Sequence, residues 1–172
     1  IHAVKSGLDP LGSSTGSAVA VAAGIVPMAV GTDTSHSITA CAMGNGICGL
    51  KPPAGVLSQE GIIPISKTFD SAGAMAQNVS DTLKLYSAMR DEPLPEITQT
   101  PVGKLRISVN IANADMNPQE RRKYLDEVIE TLRNNGVVIS EVNQPPTPEL
   151  PSIIKREFGT GLEAYLIKSG AK

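Results

Sequence analysis

Small and apolar residues fill the chain from Pro10 to Leu50, where Asp33 is the only formal charge, while charged side chains crowd the second half. The spacing of apolar positions predicts the elements. Ser17 to Ala23 is a run of small residues closed by Gly24 and predicts a helix. Ile25 to Val30 predicts a short buried strand, with Pro27 an irregularity in it. Gly31 to Gly49 predicts loop-rich structure. Ser80 is expected to cap a helix running through Met89, with Leu83, Tyr86 and Met89 on one face. Leu105, Ile107 and Val109 alternate as a strand. Asn117-Pro118 with Glu120 opens a helix whose core face is Leu125, Val128 and Leu132. Gly136 ends that helix, and Val137 to Ile139 follows as a strand. Pro145 to Pro151 reads as a linker, and Ile153 to Leu166 as helical despite Gly159 and Gly161. Helices and strands interleave without an internal repeat, so the fold class is α/β, a mixed β-sheet flanked by helices.

Charge sharpens this division. Residues 1–90 hold 10 charged side chains and residues 91–172 hold 22. An uncharged stretch of Gly, Ala, Ser, Thr and aliphatics cannot be a solvated surface, so it belongs inside a large domain. Its hydroxyls then need partners, which calls for a hydrogen-bonded network. The whole chain reads as the central segment of one domain, with a core over 1–90 and a more charged α/β extension over 91–172.

The 172 residues carry a net charge of −2. Such a chain has no field to hold polyanions, so nucleic acid and anionic membrane are excluded as expected partners. Aromatic residues are 3% with no Trp, too few for a stacking platform. The longest apolar stretch, Ala18 to Val30, is interrupted by Gly24 and Pro27 and does not suit a bilayer span. Cys41 and Cys48 read as two reduced thiols, and no secretion signal is evident, so the expected location is cytoplasmic. The opening Ile1-His2, without Met, suggests a piece of something longer.

Several motifs match only in letters. Gly44-Asn-Gly46-Ile-Cys-Gly49 has the GxGxxG spacing, but Pro52-Pro53 forbids the helix that would meet a pyrophosphate. Gly12-Ser-Ser14-Thr-Gly16 has the GxSxG spacing, but His36 follows too closely to complete an esterase triad. Ser152-Ile-Ile-Lys155 and Ser169-Gly-Ala-Lys172 lack companion motifs. His36 adjoins Ser37 and is poorly placed to act as its base, and two His with two Cys at these spacings do not make a metal site. No cofactor or metal is expected.

What survives is an ordered series: Gly12-Ser13-Ser14-Thr15-Gly16-Ser17, then Gly31-Thr32-Asp33-Thr34-Ser35-His36-Ser37-Ile38, then Gly49-Leu50-Lys51-Pro52. Two serine-bearing, glycine-flanked turns surround one helix and one strand. A serine is a weak nucleophile until something takes its proton, and a second serine can relay that proton to a neutral lysine. Glycine-rich backbone beside it leaves N–H groups free to hold an oxyanion. Packing glycines with capping serines explain the same letters.

The series resembles the amidase signature family. That family's pattern is a Gly-Gly-Ser-Ser-Gly-Gly-Ser block, an Ala-rich helix, a strand ending Gly-Thr-Asp-x-Gly-Gly-Ser-Ile, and a Gly-Leu-Lys-Pro strand. All four parts occur here in order, and Gly61-Ile-Ile-Pro64, Asp70-Ser-Ala-Gly73 and Met75-Ala76 also fit. The resemblance is strong over about residues 10–90 and loose beyond. It implies that Ser37 is the acylated nucleophile and that Ser13, following a cis peptide bond, is the bridging serine. It also implies an oxyanion hole made by the backbone N–H groups of Thr34, Ser35, His36 and Ser37. The implied reaction is hydrolysis of a small-molecule carboxamide to an acid and ammonia or an amine, without metal or cofactor.

The sequence departs from the pattern at three places. The family's catalytic lysine lies far upstream of the bridging serine, where only 12 residues are present, and Lys5 and Lys51 are poor substitutes. The isolated chain is therefore expected to be inactive. Ser35-His36 replaces the family's Gly-Gly before the nucleophile, and Thr39 replaces a common Arg. The alternative implied function is a non-catalytic fragment, or an amidotransferase-type subunit working beside partner proteins on charged tRNA. Missing neighbours would expose apolar surface and favour a homo-oligomer.

Overall fold

The computed structural model describes residues 7–94, 100–110, 118–142 and 149–170. His2, Lys5, Asn117, Pro145 and Lys172 lie outside the described residues. The chain divides into two compact units, residues 1–94 with 150–172, and residues 95–149. Residues 150–172, which charge groups with the extension, thus belong with the first unit.

In the first unit, helix α1 (Thr15–Ala22) and strand β1 (Met28–Asp33) follow one another through Gly24, whose φ of +70° suits a residue without Cβ. The strand starts later than the sequence pattern implies. Proline cannot donate to a ladder, so Pro27 precedes β1 instead of interrupting it. The segment expected to be loop-rich holds two more elements, helix α2 (Thr39–Asn45) and strand β2 (Cys48–Leu50). Helix α2 has no polar face to betray a period. Its ends are fixed by Asp33 at the start and by Gly46, with φ +67°, at the finish.

Strand β3 (Ser71–Ala76) lies between β1 and β2 and pairs antiparallel with both. All six of its residues are buried, so it shows no alternation in sequence. Its side chains still divide between two faces. Met75 packs with Ala18, Ile38 and Cys41 on the side of α1 and α2. Ala72 and Ala74 pack with Leu57 and Tyr86 on the other side. Tyr86 belongs to helix α3 (Val79–Ala88), so this unit is a helix–sheet–helix sandwich. The cap of α3 is Asn78, not Ser80: its side chain accepts from Asp81 N–H at 2.9 Å. Helix α5 (Leu150–Ser169) completes the unit. It takes in Pro151, which the sequence assigns to a linker, because proline is tolerated in a first helical turn.

In the second unit, strands β4 (Arg106–Asn110) and β5 (Val138–Val142) pair in parallel, connected through helix α4 (Pro118–Asn134). Among the described side chains of α4 the buried one is Ile129, at 5% exposure, while Val128 is 45% exposed. Leu125, Ile129 and Leu132 satisfy the helical period as well as the expected trio does, and burial selects them. Gly136, with φ +83°, closes the helix as expected. No helix among the described residues is long and apolar enough to cross a membrane.

Candidate active site

The site is built where β1 ends. β1 is an edge strand, and its outer edge is occupied by side chains from α1 and the turn before it. Ser14 Oγ donates to Thr32 O at 2.9 Å and accepts from Thr32 N–H at 3.1 Å. Ser17 Oγ donates to Val30 O at 2.8 Å. These are the partners that the hydroxyls of the uncharged stretch require.

Past β1 the chain bends through Thr34, Ser35 and His36 and turns at Ser37 into α2. Asp33 shapes this bend. It is 1% exposed, and its Oδ2 accepts from Ile38 N–H at 2.7 Å and Thr39 N–H at 3.4 Å. Its Oδ1 is buried with no partner among the described residues. No described residue accepts a hydrogen bond from the backbone N–H of Thr34, Ser35, His36 or Ser37. Four consecutive amides are therefore left available around one turn.

Ile38 anchors the turn from below. Three glycines on three adjacent strands make a saddle for its side chain. A Cβ at Gly31 would lie 3.0 Å from Ile38 Cγ1, one at Gly49 3.2 Å from Cγ2, and one at Gly73 2.7 Å from Cδ1. Real Cβ atoms scarcely approach that closely, so side chains there would press on Ile38, and also on Ala42 from Gly49 and on the Leu50 carbonyl from Gly73. The same Gly31 Cβ would stand 2.9 Å from Ser14 Oγ. Ser14 and Ile38 thus meet over one glycine, which draws the turns bearing Ser13 and Ser37 to the same end of β1.

The peptide bond between Gly12 and Ser13 is cis. Ser13 is exposed and Ser37 half-buried. Among the described residues, neither hydroxyl has a hydrogen-bond partner, the other one included. No described lysine reaches Ser13, and Lys51 follows β2, half-buried. His36 Nδ1 is 2.6 Å from Ser35 Oγ, so its ring engages Ser35 and not Ser37. Burial pushes the Cys41 thiol up, partly offset by hydrogen bonds from the Ser14 backbone and Thr15 side chain. Such a shift disfavours the thiolate.

Sequence reading missed the supports of this turn. Thr34 Oγ1 donates to Asp70 Oδ1 at 2.6 Å, and Asp70 Oδ2 accepts from Ile65 N–H at 2.7 Å and Ser66 N–H at 2.9 Å. Ser66 in turn donates to Glu157 of α5, which also accepts from Thr68 N–H at 3.0 Å. The Ser66 and Thr68 hydroxyls and the Thr68 N–H hold the Glu157 carboxyl down to about 2. Asp33 could have been found as the lone charge in an apolar stretch. The Glu157 link spans 91 residues and leaves no local signal.

A family model described as Amidase matches residues 2–168. A glutamyl-tRNA(Gln) amidotransferase chain from Lactobacillus acidophilus, one of that enzyme's subunits, is 34% identical over 173 residues, covering 91% of this chain and 36% of that protein. A probable amidase of Arabidopsis thaliana is 32% identical over 179 residues, covering 92% of this chain and 35% of that protein. Native peptide amidase from Stenotrophomonas maltophilia superposes with a TM-score of 0.73 at 31% identity, over 94% of this chain and 37% of that one. The chain thus spans little over a third of the curated relatives it matches. With the model match running nearly end to end and the fold shared with solved amidases, the chain belongs to the amidase family.

Proposed function

We propose that these residues carry the nucleophile and oxyanion hole of a serine amide hydrolase. Ser37 Oγ attacks the carbonyl carbon of a carboxamide. Its proton passes to Ser13 Oγ as the Ser13 proton passes to a neutral lysine amine. The carbonyl oxygen becomes negative and takes hydrogen bonds from the N–H groups of residues 34–37. The C–N bond breaks, the returning proton leaves with ammonia or an amine, and Ser37 holds the acyl group as an ester. Water then cleaves the ester to the acid and restores Ser37.

The observation that carries this reading is the set of four unengaged amides around Ser37, fixed by Asp33 and by the seat of Ile38. Metal ligands or a cofactor are not needed for any step. The relay closes only when the Ser13 hydroxyl rotates onto a lysine, and no described residue supplies one.

The test is an alkyl fluorophosphonate on the intact protein carrying these residues, with peptide mapping of the adduct. Modification at Ser37, lost in Ser37→Ala and slowed at least about 100-fold in Ser13→Ala, is the expected result. Amide hydrolysis that survives Ser37→Ala overturns it. Residues 1–172 alone are expected to turn over amides little or not at all. Strong turnover that resists Lys5→Ala and Lys51→Ala would show that the base lies elsewhere in the chain.

The likeness to the glutamyl-tRNA(Gln) amidotransferase chains supports a second setting for the same acyl chemistry, as one member of a multi-protein assembly working on charged tRNA. Co-purification of partner proteins from the native source distinguishes it from a free amidase.

A further inference from the structure

Two hydroxyls in the bend before Ser37 have partners of different kinds. Thr34 Oγ1 donates to the Asp70 carboxylate, while Ser35 Oγ lies 2.6 Å from His36 Nδ1. His36 is the one imidazole among the described residues. Other serine hydroxyls are taken up by structure, those of Ser14 and Ser17 along β1 and that of Ser66 on Glu157. A carboxylate held at about 2, as Glu157 is, is too weak a base to activate a hydroxyl. An imidazole is not, and a hydroxyl within its reach is the pairing that makes a serine a nucleophile.

The surroundings suit that chemistry. Ser35 and His36 are both exposed, so a carbonyl from outside can reach them. They belong to the same bend whose backbone N–H groups at 34–37 have no acceptor among the described residues. The His36 backbone is fixed, its carbonyl accepting from Ala40 N–H at 2.8 Å. The ring has no described partner other than Ser35. With its proton on Nε2, the ring presents Nδ1 as the acceptor for the Ser35 hydroxyl. The pair also stands where this sequence departs from the Gly-Gly of the family pattern, so it is no part of the Ser13–Ser37 relay.

We infer that Ser35 and His36 form a second nucleophilic centre, one that hydrolyses aryl esters. It goes beyond the amide chemistry proposed above and needs neither Ser37 nor a lysine. Ser35 Oγ bonds to the ester carbonyl carbon as its proton passes to His36 Nδ1, and the carbonyl oxygen, now negative, takes hydrogen bonds from the free amides. The C–O bond breaks, the phenoxide leaves with the electron pair, and the ring returns its proton to solvent. Water then attacks the acyl carbon, its proton passes to Nδ1, and Ser35 Oγ leaves and takes that proton back as the acid departs. The substrate class follows from the ring. A phenoxide leaves without being protonated, whereas the nitrogen of an amide must receive a proton in place, and a ring held by no third group is poorly oriented to give one.

The test treats the intact protein carrying these residues, in a Ser37→Ala background, with p-nitrophenyl acetate. Nitrophenolate release is followed by absorbance, and the acetyl group is located by peptide mapping. Acetylation at Ser35 is expected, and Ser35→Ala and His36→Ala should each slow release at least about tenfold. Both substitutions keep the backbone amides, so they remove the side-chain chemistry alone. Added imidazole should restore Ser35 acetylation in His36→Ala, which a merely structural role for the ring would not allow. If His36→Ala fails to fold by circular dichroism, His36→Gln serves instead. Acetyl found on His36 or a lysine and not on Ser35, no acetylation at all, or a rate indifferent to the His36 substitution overturns the inference. If the fluorophosphonate marks Ser37 in the unsubstituted protein while Ser35 takes no acetyl group, the amide hydrolase reading stands and the ester centre falls. Ser35 acetylation with Ser37 left unmarked removes the amide reading and leaves the ester centre standing.

Discussion

Asp33 organises the turn that carries Ser37 at the scale of single residues. One carboxylate oxygen collects the N–H groups of Ile38 and Thr39, and the bend between is left with its own amides turned to no partner among the described residues. Asp33→Ala strands two amides at the start of α2 and should cost about 1–3 kcal/mol in urea unfolding. Asp33→Asn keeps an acceptor oxygen and should cost less. Fluorophosphonate labelling at Ser37 should slow in the Ala variant before the fold is lost, because the turn loosens first. The order of the serine-bearing, glycine-flanked turns, with a helix and a strand between them, was legible in the sequence. The role of Asp33 was legible only as an oddity, a lone charge with nowhere to be solvated. What could not be read was hydroxyl orientation: among the described residues, Ser13 and Ser37 make no hydrogen bond to one another.

Among the elements, α5 depends on the polar clamp at Glu157. The carboxyl, held at about 2 against an ordinary 4.5, favours the charged form when the clamp is made. A folded-state value lowered below the unfolded one means the contribution is complete above about pH 4.5 and fades as pH falls through 2. Amide exchange of α5 should therefore accelerate between pH 4.5 and pH 2 relative to that of β3, and Glu157→Gln should flatten the difference. The exposed Lys168–Glu60 pair, 2.9 Å apart, adds little beside it. Legibility at this scale followed pattern strength. The amphipathic α3 and α4 and the alternating β4 showed themselves, though Ile129 displaced Val128 from the core. β3 hid because all its side chains are buried and small, and α2 hid because its stability comes from Asp33 and Gly46 instead of a periodic face.

For the whole molecule, the division into two units sets what a mutation can reach. Among the described residues of α4 the buried side chain is Ile129, packed over a two-stranded parallel pair. Ile129→Ala should lower protection of β4 and β5 by about 2–4 kcal/mol in native-state hydrogen exchange. Labelling of Ser37 and exchange in β3 should stay as they are. A loss spread evenly over both units would show that they unfold as one. One more consequence follows from the way Ser14 and Ser17 sit along β1. A strand at the margin of a sheet offers bare amides and carbonyls to any passing chain. Here the Ser14 hydroxyl already occupies the N–H and carbonyl of Thr32, and the Ser17 hydroxyl the carbonyl of Val30. The stitching that brackets the Ser37 turn therefore also denies a foothold to strand addition along β1.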